Sequence, residues 1–220
     1  MELSRFDQLL NAAQRAELAA LTDPVKIQDY LDRIPYSAEE RNRCPLNVLT
    51  DGQAHCLDGT LFAAATLGRI GFPPVVVDLL PDPGMDDDHV LAIYKQSGHF
   101  GAVAKSNFAG LRFREPVYRS LRELVMSYFE VYYNINGIKT LRYYTPPLRL
   151  DAYDHAGWMW SDQSVDAIEA RLTKLHRIPL LSPELAERLA PVDRRSYAAG
   201  MLGVNAAGLY KPAQGNAVDG

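Results

Sequence analysis

The chain has 220 residues, 47% of them hydrophobic and 23% charged, which is the composition of a soluble globular protein large enough to bury a sizeable core. A formal net charge of −4 gives no electrostatic reason to expect nucleic acid or an anionic membrane as partner. No stretch approaches the roughly 18 uninterrupted apolar residues of a membrane span, the N-terminus lacks a signal-peptide pattern, and the expected location is the cytoplasm.

In chain order, Leu3, Phe6, Leu9, Leu10 and Ala13 recur at helical spacing, and Asp23-Pro24 supplies an N-cap and first position for a second helix carrying Ile27, Tyr30, Leu31 and Ile34. These helices are expected to form a cap beside the core. Leu57 to Ile70 is apolar nearly all round and stops at Gly71, the pattern of a buried helix. Strand character follows in Pro74 to Leu80, closed by Pro81-Asp82-Pro83-Gly84. His89 to Lys95 and Phe100 to Lys105 read as an antiparallel hairpin. Ser120 to Glu123 is a capping box for a helix expected to run to about Asn134-Gly137, Ile138 to Thr145 reads as a further strand, and the chain turns helical again from Ser164, with Ser182-Pro183 as another helix start. The expected organisation is an α+β domain over 1–160, a helical extension over 161–202 and a flexible tail over 203–220.

Cys56 stands where a loop becomes the buried helix, so unpaired backbone N–H groups and the helix dipole would favour its thiolate. The plain alternative is a small buried hydrophobe. Cys44 and Cys56 are the only cysteines. Two are too few for a disulfide framework; a single Cys44–Cys56 bridge is compatible with the spacing but does not suit a cytoplasmic setting. His89, at the start of its strand, is the candidate general base, or else a strand-end histidine satisfied by Asp86-Asp87-Asp88. Ser106 and Asn107, expected on the partner hairpin strand, are the candidates to orient its ring. The acidic run lacks calcium-loop spacing, so no metal and no other cofactor is expected. Trp158 and Trp160, with Tyr143, Tyr144 and Tyr153, line a substrate groove in one reading and pack the core in the other.

Gly52-Gln53-Ala54-His55-Cys56, Gly71-Phe72-Pro73-Pro74, the strand from Val75 and Asp88-His89-Val90 together resemble the transglutaminase-like branch of the papain-like cysteine enzymes. The likeness covers about 25–107. It implies a papain-like α+β core in which a buried helix carrying Cys56 packs on an antiparallel sheet, with Cys56 and His89 as a dyad. Where that family places an aspartate, this chain has Ala104-Lys105-Ser106-Asn107. Asn107 would then orient the imidazole, with Ser106 behind it, and the Cys56 N–H and the Gln53 side chain would hold an oxyanion. Two functions follow. One is acyl transfer or amide hydrolysis on a peptide, protein or small amide through a Cys56 thioester. The other is an inactive module that keeps the shape and binds a peptide or protein partner.

Overall fold

The computed structural model describes residues 2–212. Helices α1 (Leu3–Leu9), α2 (Ala12–Ala20), α3 (Pro24–Arg33) and α4 (Pro45–Asp51) lead into α5 (Cys56–Arg69). The first apolar stripe does not form one helix. Asn11 breaks it, because its side chain accepts the Gln14 N–H while Gln14 returns a bond to the Asn11 N–H, a reciprocal cap that starts α2. Asp23 caps α3 as its sequence suggests. These helices do more than cover the core: Phe6, Leu10, Leu18, Ile27 and Leu31 are part of it, packed with Leu61, Phe62 and Leu67 of α5.

An antiparallel sheet follows, built from β1 (Val75–Pro81), β2 (His89–Gln96), β3 (His99–Val103), β4 (Arg114–Tyr118), β5 (Leu141–Tyr144), β6 (Leu148–Arg149) and β7 (Ile178–Pro179). Its order is β4-β3-β2-β1-β5-β7, with β6 also paired to β1. The β2–β3 hairpin turns on Ser97 and Gly98, both at positive φ, as a two-residue turn between right-twisted strands requires. The chain is therefore α+β, with the buried helix α5 lying on an antiparallel sheet.

Each face of the sheet has its own core. Val76, Val90, Ala92, Tyr94 and Val103 face α5, while Val77, Leu79, Leu91, Ile93 and Ala102 face the opposite way, toward α6 (Leu121–Met126) and the aromatic side chains of Tyr128, Phe129 and Tyr132. The expected long helix from Ser120 stops at Met126. There the Ser127 hydroxyl donates to the Leu124 carbonyl and the chain turns into a short 3₁₀ segment, which seats Tyr128 and Phe129 under the sheet.

The segment expected as an extension is woven into the same body. Helix α7 (Asp162–Leu172) puts Val165, Ile168 and Leu172 into the α5-side core, and β7 closes the sheet edge against β5. Asp162 accepts bonds from the Cys44 N–H, Asn47 and Arg41, tying α7 to α4. Short helices α8 (Pro183–Ala186) and α9 (Arg194–Gly200) follow. Of the expected tail, 213–220 lies outside the described residues. The part before it is held by side-chain bonds between Asn107, Asn205 and the Tyr36 carbonyl. No helix among the described residues is long and apolar enough to cross a membrane.

Candidate functional site

The N-terminus of α5 is fixed from beneath by a buried charge cluster. His55 is the N-cap, and its N–H donates to the Asp58 carboxylate three residues on. The same carboxylate accepts the Arg43 N–H at 2.6 Å and lies 3.6 Å from the Arg43 guanidinium and 3.1 Å from the His55 ring. Arg43, 1% exposed, also bonds Asp51, Ser37 and Glu39. Burial pushes the Asp58 carboxyl up to about 7 against these partners and, with the Arg43 charge, lowers the His55 ring. His55 is thus committed to holding the helix start.

Cys56 is the first residue of α5 and is partly buried. It opens on a cleft of about 470 Å³ whose walls include Tyr36, Glu39, Glu40, Asp78, Asp87, Asp88 and Glu169. No lysine or arginine lines this cleft among the described residues. The Tyr36 hydroxyl is within hydrogen-bonding reach of the Cys56 backbone and thiol. Burial, then the charges of Asp88, Asp87 and Asp78, raise the Cys56 thiol well above its ordinary value; the helix N–H of Leu57 acts the other way and is outweighed. A helix N-terminus alone does not make a thiolate when carboxylates face it.

β-Strand alternation decides which side chains do face it. Thr60 of α5 donates to the Val90 carbonyl at 2.7 Å, and Val90 packs on the α5 side. Asp88, two residues before Val90, shares that side and lines the cleft, as does Asp78, which pairs with Val90 across β1 and β2. His89 has the other parity. Its ring donates from Nε2 to the Leu111 carbonyl at 2.6 Å and sits edge-on to Tyr128, in the layer beneath the sheet. Burial drives its pKa down to about 4, against the carbonyl bond and with the Arg114 charge, so the ring is neutral. The Nε2 of His89 is therefore committed to a backbone carbonyl.

Cys56, His89, Ser106 and Asn107 all border one small void of about 40 Å³, so their chain segments converge. Within it, the Ser106 hydroxyl accepts the Phe108 N–H. Asn107 donates to the Asn205 and Gly208 carbonyls and accepts the Asn205 N–H at 2.8 Å, while the Asn205 amide donates to the Tyr36 carbonyl. That clasp lays Gly208, Leu209 and Tyr210 along the cleft. Gln53 donates to Glu39. Trp158 is fully buried, its ring N–H on Asp154, and Trp160 packs against the core under Arg5, so neither lines the cleft. Cys44 is buried, and both cysteines are free thiols. No group of three or more His, Cys, Asp or Glu side chains among the described residues has the geometry to hold a metal ion.

Two participants escaped the sequence reading. Asp78 is 1% exposed, and its Oδ1 has no hydrogen-bond partner among the described residues. Its acid in the middle of the β-branched run of β1 was the available signal, since a strand buried on both faces normally excludes charge. Lys105, also buried, donates its ammonium to the Leu31 and Ile34 carbonyls at 2.6 Å each, closing the C-terminus of α3 where a carboxylate was sought.

No family model and no curated protein matches the chain. Among solved structures it is similar to Legionella pneumophila LapG, at 12% identity over 78% of this chain and 96% of that one, with a TM-score of 0.41. The EGTA-treated form of the same protein superposes at 12% identity over 48% of this chain and 68% of that one, with a TM-score of 0.35. The likeness is loose and says nothing about chemistry.

Proposed function

We propose that the chain is a transglutaminase-like module that binds a peptide or protein partner in the Cys56 cleft and does not turn over an acyl substrate there. One observation carries this reading: Asp88, just before β2, puts its carboxylate on the Cys56 cleft, while the imidazole one residue on is buried with its Nε2 committed to the Leu111 carbonyl. A general base must be within hydrogen-bond reach of the proton it takes. His89 Nε2 is held by the Leu111 carbonyl, so only Nδ1 is left to take a proton, and the burial that drives the ring's pKa down to about 4 opposes the imidazolium that such a transfer would form. The carboxylates around the thiol oppose its ionisation as well. Hydrolysis and transfer share the same thiolate requirement, so both fall together on this reading.

The test is the pH dependence of Cys56 alkylation by iodoacetamide. Cys56 is expected to react no earlier than a free thiol, with a midpoint at or above about 8.5, and His89→Ala is expected to leave the profile unchanged. Reactivity persisting near pH 6 and lost in His89→Ala, or a thioester trapped on Cys56 by an activated acyl compound, would establish the enzyme instead.

A further inference from the structure

We infer that the cleft is a receptor for an alkylammonium group, as carried by a lysyl side chain of a polypeptide partner. The inference rests on the binding-module reading and names what the module holds. Its anchor is Asp78. A carboxylate at 1% exposure with an oxygen lacking any hydrogen-bond partner is costly, and structures retain such groups where a ligand completes them. The backbone groups of Asp78 are already engaged, its N–H donating to the Thr145 hydroxyl and its carbonyl accepting the Thr145 N–H, so neither is free for a ligand. Strand alternation then directs the carboxylate to the α5 side, where it lines the cleft.

Everything around Asp78 points to a cation. Asp87 and Asp88 stand beside it and Glu169 faces it from α7, while the nearest cationic influence on Asp78, Arg177, does not line the cleft. A metal is a poor candidate, because the acids do not converge in a coordinating group. An ammonium has different needs: several acceptors without fixed coordination geometry, and an apolar or aromatic wall for its methylene stem. Tyr36 and Tyr210 supply rings, and Leu57, Val90 and Leu172 supply apolar wall. At about 470 Å³ the space exceeds one side chain, leaving room for the adjoining backbone.

Calorimetric titration of the full chain tests this with a blocked Gly-Lys-Gly peptide, its Nε-acetylated twin and spermidine. The free-amine peptide should bind saturably and at least tenfold tighter than the acetylated twin. Asp78→Asn and Asp88→Asn should each weaken it tenfold or more, whereas Glu184→Gln, an exposed acid on α8 remote from the cleft, should change nothing. Spermidine binding alone, sensitive to the same two variants, assigns the ammonium to a free polyamine and keeps the receptor. If Asp78→Asn does not fold, Asp88→Asn alone decides, since that side chain reaches solvent. Equal binding of both peptides, or equal weakening by Glu184→Gln, would mean bulk attraction to a protein of net charge −4 and overturn the inference. Equal, saturable peptide binding still leaves the module reading in place. A Cys56 thioester removes the module reading whatever the amine does.

Discussion

The two faces of the central sheet share their strands and differ in what they do with polar side chains. Beneath the sheet, the one titratable ring of β2, His89, is neutral, bonded and enclosed by Tyr128. On the α5 face, the Asp78 Oδ1 is enclosed with no hydrogen-bond partner among the described residues, and Asp87 and Asp88 crowd an open cleft. One residue of parity separates an internally satisfied group from a buried carboxylate oxygen with no hydrogen-bond partner among the described residues. A polar residue in a strand is therefore informative only once its face is known.

The contrast can be broken most severely at the helix that defines it. A Cβ on Gly59 would lie 2.2 Å from the Lys105 Cβ, so Gly59→Ala must push α5 away from the segment that follows β3. Urea unfolding should show a loss of about 3 kcal/mol, the upper end of ordinary overpacking. Next comes the lower face. His89→Ala should cost about 2–3 kcal/mol, from a cavity and an orphaned Leu111 carbonyl, without altering Cys56 alkylation.

Acidity separates the faces in opposite directions. The His89 pKa falls from about 6.5 unfolded to about 4 folded, so between those values the unfolded chain binds more protons and stability from this group rises with pH, by up to about 3 kcal/mol. Two acids, Asp86 held up to about 6 by burial and Asp78 of the upper face raised well above its ordinary value by burial and then Asp88, bind more protons folded. Their contribution is largest in acid and is lost as pH rises from about 4 through 6 and beyond. His89→Gln should therefore leave a protein whose urea midpoint declines from pH 4 to 7. Smaller in size, Asp78→Asn should flatten that decline and stabilise the protein at pH 7 by about 1–2 kcal/mol, seen as a higher melting temperature. Smallest is Asn107→Ala, expected to cost about 1 kcal/mol globally while speeding amide hydrogen exchange over residues 205–208.

Much of the fold was legible because local signals carried it. Asp23-Pro24, the all-apolar run after Cys56 and the Ser97-Gly98 turn each specify an element on their own terms. The order of helix, strand and hairpin then placed Cys56, His89, Ser106 and Asn107 around one void. What the sequence could not show was parity and long-range bonding. His89 begins a strand in which nearly every residue is buried, so no polar alternation marks which way it faces. Asn107 reads as a turn residue, and its partners lie 98 and 101 positions away. Short strands such as β6 and β7, two residues each, exist only through pairing with β1 and β5 and leave no periodic trace.

The Asn107 clasp also sets a schedule. Because Gly208, Leu209 and Tyr210 form part of the cleft wall and are fastened to a segment made some hundred residues earlier, the cleft reaches its final shape only after nearly the whole described chain has been synthesised. Helix α5 and the β1–β3 strands can pair on the ribosome well before that. The nascent protein thus passes through a stage with its scaffold formed and its cleft open on one side, and the arrival of residues 205–210 closes that side.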